Sequence, residues 1–220
     1  MKRFYIFLMM LMLGFGISAS GHATLIDMTD GTIYDTDLEL SWLKNANTNG
    51  AMTWSAANTW ADTLVFATFD NWRLPTVTDT GNDGCNWGSS GTDCGYNVNT
   101  TTGEMAHLFY DELGNKAYYD TSGGWPQAGW GLVNTGPFIN LQPYYYWSGT
   151  DYAPDADSVW LFYFYGGGQG AGGKVDNFYA LAVSPGQRST SVPEPATLLL
   201  LGSGLAGIAV WRKRLGWKEG

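Results

Sequence analysis

The sequence predicts a single α+β domain, and three observations support this. Two segments show helical spacing of apolar residues, short segments with strand-like patterns flank them, and long stretches rich in Gly, Asn, Asp and Thr connect them. When the two terminal segments that each contain a long apolar run, residues 1–23 and 193–220, are set aside, 169 of the 220 residues remain. That length is sufficient for one domain with its own core.

The first element is an export signal at residues 1–23. Two basic residues precede an apolar run from Phe4 to Ile17, and small and polar residues follow up to Ala23. This run of about fourteen residues is shorter than the ~20 that a membrane-spanning helix needs. The pattern therefore predicts a cleavable secretory signal peptide and a mature chain that begins at Thr24.

The mature chain begins with strand patterns. Asp30-Gly31 is a hairpin turn signal between strands expected at Leu25-Ile26 and Ile33-Tyr34. A third, half-buried strand is expected where apolar residues alternate with polar ones, at Leu38, Leu40 and Trp42.

Two helices are predicted next. The first begins at Thr53 as N-cap and runs to about Val65, and its apolar face is formed by Ala57, Trp60, Ala61 and Leu64. For the second helix, Thr101 and Glu104 have the spacing of a capping box, and Gly114 is expected to end it.

The last third of the domain returns to strand patterns. Strands are expected at about residues 144–150, 158–165 and 178–183. Residues Gly166 to Gly173 are expected to form a flexible loop between the last two, because six glycines in this segment favour irregular backbone.

The two cysteines of the chain lie within one Gly/Ser/Asp/Asn-rich segment. Eight residues separate Cys85 from Cys94, and in an exported protein this predicts a local disulfide that closes a surface loop. A metal site would need further ligands beside them, and the neighbouring sequence offers none.

Just before the cysteines, a short segment places oxygen-bearing side chains at alternating positions. Asp79, Asn82 and Asp83 could contribute to a calcium loop, although the segment lacks the later bidentate Glu of an EF-hand. The alternative is a solvated turn, which we favour, so no metal or other cofactor is expected.

Charge limits the range of partners. The chain carries 11 basic and 20 acidic residues, and residues 24–192 retain 5 and 18 of them, a net charge of −13. Such a surface repels phosphate backbones, so nucleic-acid binding is disfavoured. With 11 Trp and 13 Tyr, the chain has aromatic side chains that suit both core packing and stacking on saccharides.

The sequence offers little for catalysis, and we expect no enzyme. His107 is the single histidine after residue 23, and beside Leu108 and Phe109 on a helix it is expected to pack or face solvent. A disulfide would remove both thiols as nucleophiles. No nucleophile elbow, phosphate loop or zinc motif occurs, and nothing selects a catalytic carboxylate pair among the acids.

The C-terminal segment has three parts in a fixed order. A linker at 188–192 leads to Pro193-Glu194-Pro195, which no helix can absorb, and then to an apolar run from Ala196 to Trp211 and the basic cluster Arg212-Lys213-Arg214. As a helix, the sixteen apolar residues would span about 24 Å of the membrane. The basic cluster would then act as a membrane stop on the cytoplasmic side.

This order resembles the PEP-CTERM sorting signal. The resemblance implies recognition and cleavage by an exosortase near Pro193-Glu194-Pro195, after an inner-membrane intermediate held by the helix at 196–211. It also implies release or transfer to the surface of a Gram-negative-type bacterium, in the setting of exopolysaccharide and biofilm. A plain single-pass anchor is the alternative.

Residues 24–187 carry a second resemblance. Five segments carry it, namely Leu40-Ser41-Trp42-Leu43-Lys44, Met52-Thr53-Trp54, Asn71-Trp72-Arg73-Leu74-Pro75-Thr76, Tyr146-Trp147-Ser148-Gly149-Thr150 and Ala180-Leu181-Ala182-Val183. Their order resembles that in domains similar to the C-terminal domain of the Lcl adhesin, which form a C-type-lectin-like group. The resemblance implies a lectin-like fold, and function does not follow from the fold alone.

The signature residues of these segments are Trp72, Arg73, Pro75, Tyr146 and Trp147. We expect them to anchor the core, with ligand contact as the alternative. The function expected is that of a non-enzymatic surface or matrix protein that binds polysaccharide. A structural or adhesive module with protein partners, or a carbohydrate-active enzyme, remains open.

Overall fold

The structure, a computed structural model, describes residues 25–80, 85 and 87–186. The expected signal peptide, linker, Pro193-Glu194-Pro195 motif, apolar run at 196–211 and Arg212-Lys213-Arg214 cluster lie outside the described residues. Within the part that is described, no helix has the length and apolar character needed to cross a membrane.

The first sheet contains the N-terminal hairpin. Its strands are β1 (Leu25–Asp27), β2 (Thr32–Asp35), β3 (Leu40–Leu43) and β8 (Val183–Pro185), all antiparallel, in the order β1-β2-β3-β8. The predicted hairpin is confirmed, with Ile26 opposite Tyr34. The predicted half-buried pattern is wrong for β3, because its four residues are all buried in the interior of the sheet.

The second sheet is formed by β4 (Gly95–Tyr96), β5 (Tyr145–Asp151), β6 (Ser158–Tyr163) and β7 (Gly168–Gly173) in the order β4-β7-β6-β5. The strands expected near 144–150 and 158–165 are confirmed as β5 and β6. The flexible loop expected at Gly166 to Gly173 is wrong, because β7 pairs with β4 on one side and β6 on the other.

The strand expected at 178–183 is also wrong. Phe178 and Tyr179 make only isolated bridges, to Met52 and Tyr146, and regular pairing begins at Val183. The apolar pattern there reflects burial in the core, where Leu181 and Ala182 are both fully buried.

Two helices complete an α+β fold. Helix α1 (Trp54–Thr63) is confirmed, with Ala57 and Ala61 buried, although the Thr53 side chain makes no capping hydrogen bond. Helix α2 (Glu104–His107) continues into a π-helical turn, Leu108–Glu112.

The capping box predicted for the second helix is wrong. Thr101 lies in a separate 3₁₀ turn (Thr100–Thr102), and Gly103 occupies the N-cap position of α2. The Glu104 carboxylate accepts hydrogen bonds from Arg73 and from the Thr76 backbone N–H instead of reaching back to a cap. Gly114, at φ +62°, follows the end of the helix as predicted.

Candidate functional site

A cleft lined by aromatic side chains lies on the second sheet. Its lining residues are Trp87, Tyr96, Tyr119, Tyr145 and Tyr163, and they surround a volume of about 330 Å³. We call it the aromatic cleft. No residue with a charged side chain is among these lining residues.

Three of the cleft tyrosines are positioned by strands. Tyr96 lies on β4, and Tyr145 on β5 is directly opposite Tyr163 on β6. The rings of Tyr145 and Tyr163 are stacked, with centroids 4.3 Å apart and planes within 17°. Cross-strand aromatic pairs of this kind stabilise a sheet and fix ring orientation. The sheet therefore holds one wall of the cleft rigid.

Glycines of β7 make room for the tryptophan. A Cβ atom at Gly170 would lie 2.2 Å from Cζ2 of Trp87, and one at Gly168 would lie 3.1 Å from its Cζ3. Only a strand without side chains at these positions lets the indole ring rest on the sheet. The glycine-rich composition that predicted a loop therefore serves this close contact.

The expected disulfide between Cys85 and Cys94 is present, with Cα atoms 5.3 Å apart. Cys94 immediately precedes β4, and the backbone N–H of Cys85 donates to the Tyr152 hydroxyl at 2.7 Å. Trp87 lies two residues after Cys85. The disulfide therefore ties the segment that carries Trp87 to the strand that carries Tyr96.

Three tyrosines of the cleft, Tyr96, Tyr145 and Tyr163, have a raised pKa and keep their protons at neutral pH. Burial, together with neighbouring tyrosines, raises the pKa of Tyr96 and of Tyr145, and it raises the pKa of Tyr163 to about 12. Each neutral phenol can donate one hydrogen bond and accept others. The cleft thus combines uncharged aromatic faces with hydroxyl groups.

The signature residues predicted from the sequence lie elsewhere. Trp72, Tyr146 and Trp147 are buried in the core, and the indole of Trp147 donates to the Met52 carbonyl at 2.8 Å. Pro75 is buried, and its carbonyl accepts a hydrogen bond from Gly149 at 2.8 Å. These residues anchor the fold, and none of them lines the aromatic cleft.

Arg73 makes an ion pair that the sequence analysis did not foresee. Its guanidinium binds both carboxylate oxygens of Glu104, at 2.7 and 2.8 Å, and donates to the Leu74 carbonyl at 3.1 Å. The hydrogen bonds to Glu104 raise the pKa of Arg73. The pair joins the segment after α1 to the start of α2.

Of the calcium candidates, Asp79 is described, whereas Asn82 and Asp83 lie outside the described residues. The Asp79 carboxylate accepts hydrogen bonds from the Ala153 backbone and from the Trp160 indole, both at 3.2 Å. In this position it orients a buried tryptophan.

His107 lies in a polar cluster rather than among apolar neighbours alone. Its Nδ1 is 3.0 Å from Oδ2 of Asp111, and its Nε2 is 3.4 Å from Oε1 of Glu112. Asp35 completes a group of three in which one potential ligand atom from each residue lies within 4.8 Å of the others. Burial and the Asp35 charge raise the pKa of Glu112, and His107 opposes that rise.

Sequence reasoning did not find the cleft residues. One signal for them existed, because in Tyr144-Tyr145-Tyr146 alternate side chains of a strand point to opposite faces, so that a buried Tyr146 leaves Tyr145 on the other face. Trp87 and Tyr119 come from irregular segments, where no periodicity indicates a position.

Comparison with known proteins gives one match. Residues 191–214 match the family model described as the PEP-CTERM protein-sorting motif. No curated protein and no solved structure matches the chain significantly. In its C-terminal segment the chain is thus similar to PEP-CTERM proteins, and that motif implies a protein that is exported and processed at the membrane by an exosortase.

Proposed function

We propose that this chain is a non-enzymatic protein of the cell surface or extracellular matrix of a Gram-negative-type bacterium, and that it binds polysaccharide in the aromatic cleft. The observation that carries the proposal is the cleft itself, with five aromatic side chains around about 330 Å³ on an exported domain. We also propose that residues 196–211 hold the protein in the inner membrane until an exosortase acts.

The chemistry of the cleft suits a sugar. Pyranose rings have an apolar face, which aromatic rings cover, and a rim of hydroxyl groups, which neutral tyrosine hydroxyls can pair with. The volume lies at the lower end of the ~300–1,000 Å³ found for small-ligand sites. A short stretch of a glycan chain fits such a space better than a large ligand does.

The charge of the protein favours a neutral glycan. The cleft lining among the described residues has no cation that could pair with a uronate or a sulfate. The net charge of −13 over residues 24–192 would in addition repel an anionic polymer. Binding of neutral sugars is therefore expected to be stronger than binding of acidic ones.

The same lining favours binding over hydrolysis. Glycosidases use two carboxyl groups that flank the bond they cleave, and none of the described residues that line the cleft is acidic. We therefore propose a binding module rather than a carbohydrate-active enzyme.

A C-type-lectin-like fold remains part of the proposal. It is supported by the order of the five signature segments and by the burial of Trp42, Trp72 and Trp147 within them. The aromatic cleft does not depend on this assignment.

A glycan array followed by calorimetry with the best neutral oligosaccharide tests the function. Tyr145→Ala and Tyr163→Ala are expected to weaken binding by about 10-fold or more each, because each removes one face of the stacked pair. Tyr34→Ala, on the first sheet, is the matched aromatic control and should bind normally. Absence of glycan binding by the folded wild-type protein, or selective capture of proteins, would contradict the proposal.

A further inference from the structure

Three ionisable side chains, from Asp35, His107 and Glu112, meet between the first sheet and the second helix. Asp35 ends β2 and is fully buried. The Glu112 side chain is 1% exposed and that of His107 is 12% exposed. Isolated charges at such depth are costly unless a counter-charge or a metal ion is present.

The π-helical turn brings His107 and Glu112 together. The two residues are five positions apart, and the backbone N–H of Leu113 donates to the carbonyl of Leu108 at 2.9 Å, which is the i→i+5 bond of a π-helix. In a regular α-helix, residues five apart diverge, whereas those three or four apart share a face. Such π turns are rare and are frequently found at functional sites.

The contacts of His107 indicate which of its ring nitrogens is available to bind a metal ion. Nδ1 is 3.0 Å from Oδ2 of Asp111, and this carboxylate oxygen can accept a hydrogen bond from the Nδ1–H group. A neutral imidazole that donates from Nδ1 has its lone pair on Nε2. Nε2 then faces Oε1 of Glu112 at 3.4 Å, and both atoms are buried without a hydrogen-bond partner.

Two buried acceptors that face each other are stabilised by a positive charge between them, either a proton or a metal ion. The backbone N–H groups of Asp37 and Leu38 donate to one oxygen of Asp35, and the Trp42 indole donates to the other, so this carboxylate is fixed in position. No Lys or Arg among the described residues makes an ion pair with any of the three. A divalent cation would balance the Asp35 and Glu112 carboxylates.

We propose that Asp35, His107 and Glu112 bind a divalent transition-metal ion, with Zn²⁺ as the ion that fits best. Zn²⁺ binds imidazole nitrogen and carboxylate oxygen at about 2.0–2.2 Å in tetrahedral geometry, which places neighbouring ligand atoms about 3.4 Å apart. The distance from Nε2 to Oε1 is 3.4 Å. An imidazole ligand also favours Zn²⁺ over Ca²⁺ and Mg²⁺, which prefer oxygen ligands.

Neighbouring groups would support such a site. Asp111 acts on His107 as the carboxylate that orients a metal-bound imidazole, and the Trp42 indole acts on Asp35 in a similar way. The ligands come from β2, from the last residue of α2 and from the last residue of the π-helical turn. The metal ion would therefore cross-link the second helix to the first sheet and so stabilise the domain.

The test uses processed protein recovered from the producing host, stripped with a chelator and then equilibrated with Zn²⁺. We expect one Zn²⁺ per chain by mass spectrometry of metals, a higher thermal midpoint with Zn²⁺ than with chelator, and tetrahedral absorption bands when Co²⁺ replaces Zn²⁺. Glu112→Gln should weaken Zn²⁺ binding by about 100-fold or more, and Asp111→Asn by about 10- to 100-fold. Asp62→Asn, an exposed acid on α1, is the control and should bind normally.

Two results would overturn the proposal. One is stripped wild-type protein that takes up no Zn²⁺ and has the same thermal midpoint with Zn²⁺ and with chelator. The other is Zn²⁺ binding of equal affinity in Asp111→Asn and in wild type, which would place the ion on the acidic surface. Asp111→Asn removes no ligand, so it keeps the test valid if Glu112→Gln does not fold.

Discussion

At the scale of single residues, the ion pair between Arg73 and Glu104 joins the segment after α1 to the start of the second helix. Arg73→Lys would keep the charge but lose the two-pronged hydrogen bond. We expect a loss of about 1–2 kcal/mol in the free energy of unfolding, measured by urea denaturation. Lys116→Arg, at an exposed position, should leave stability unchanged, and equal stability of Arg73→Lys would show that the pair contributes nothing.

Gly170 gives a second prediction at this scale. In Gly170→Ala the new methyl group would lie 2.2 Å from the Trp87 ring, so the ring must leave its place on β7. We expect about 10-fold weaker glycan binding and a changed tryptophan fluorescence, with the fold retained. Gly173→Ala, on the same strand, meets its nearest atom only at 3.4 Å and serves as the control. Unchanged binding in Gly170→Ala would remove Trp87 from the site.

At the scale of elements, the disulfide links the segment of Trp87 to β4. The double variant Cys85→Ser/Cys94→Ser lacks this disulfide, so the segment that carries Trp87 has more conformational freedom in both the folded and the unfolded chain. We expect a loss of up to about 3 kcal/mol in stability, as the chain-entropy treatment gives for short loops, together with weaker glycan binding. Intact mass should show wild-type protein two hydrogens lighter than the dithiol. Free thiols in exported protein would contradict the structure.

Some elements of the fold could be predicted from sequence patterns, and others could not. The N-terminal hairpin, α1, β5 and β6 were predictable because their turn residues and apolar spacing act locally. Strand β7 was not, because its glycines match a tertiary requirement, the packing of Trp87, and oppose the local preference. The π-helical turn that aligns His107 and Glu112 could not be predicted either, because two residues five positions apart do not share a face of a regular α-helix.

The candidate sites were less predictable than the fold for the same reason. The cleft draws Trp87 and Tyr119 from irregular segments, and the cluster at His107 includes Asp35, which is 72 residues away in sequence. Such sites are created by long-range packing. The sequence indicated aromatic richness and the Cys85–Cys94 loop, but it did not indicate which aromatic side chains meet.

At the scale of the whole molecule, the tyrosines predict how stability depends on pH. Burial raises the pKa of Tyr96, Tyr145 and Tyr163 above the ordinary 10.0, in the last case to about 12, and it raises those of Tyr110 and Tyr146 as well. Above pH 10 the unfolded chain loses protons that the folded chain retains, so stability falls as pH rises through that range and is fully present below it.

Alkaline titration checks this pH dependence. Tyrosinate absorbance of native protein should rise at higher pH than that of the urea-unfolded chain, and unfolding should set in between pH 10 and about 12. Glycan binding should stay constant below pH 9, because the raised pKa values of Tyr96, Tyr145 and Tyr163 keep these three phenols neutral there. Coincident titrations of native and unfolded protein would contradict the burial of these side chains.

The central claim is that the C-terminal segment is a sorting signal which an exosortase cleaves, and replacement of Glu194 tests it most directly. Glu194→Gln hardly changes insertion of the apolar run at 196–211, because the residue lies outside that run. If the exosortase active site pairs with the Glu194 carboxylate, that partner is lost in Glu194→Gln. Cleavage of the variant should therefore fail.

The measurement is intact mass and terminal peptide mapping of wild type and Glu194→Gln, each from an exosortase-positive host and from one that lacks the enzyme. Wild type from the positive host should begin at Thr24 and lack Arg212-Lys213-Arg214, whereas the variant should accumulate uncleaved in the inner membrane. Equal processing of both proteins, or cleavage of wild type without exosortase, would contradict the claim.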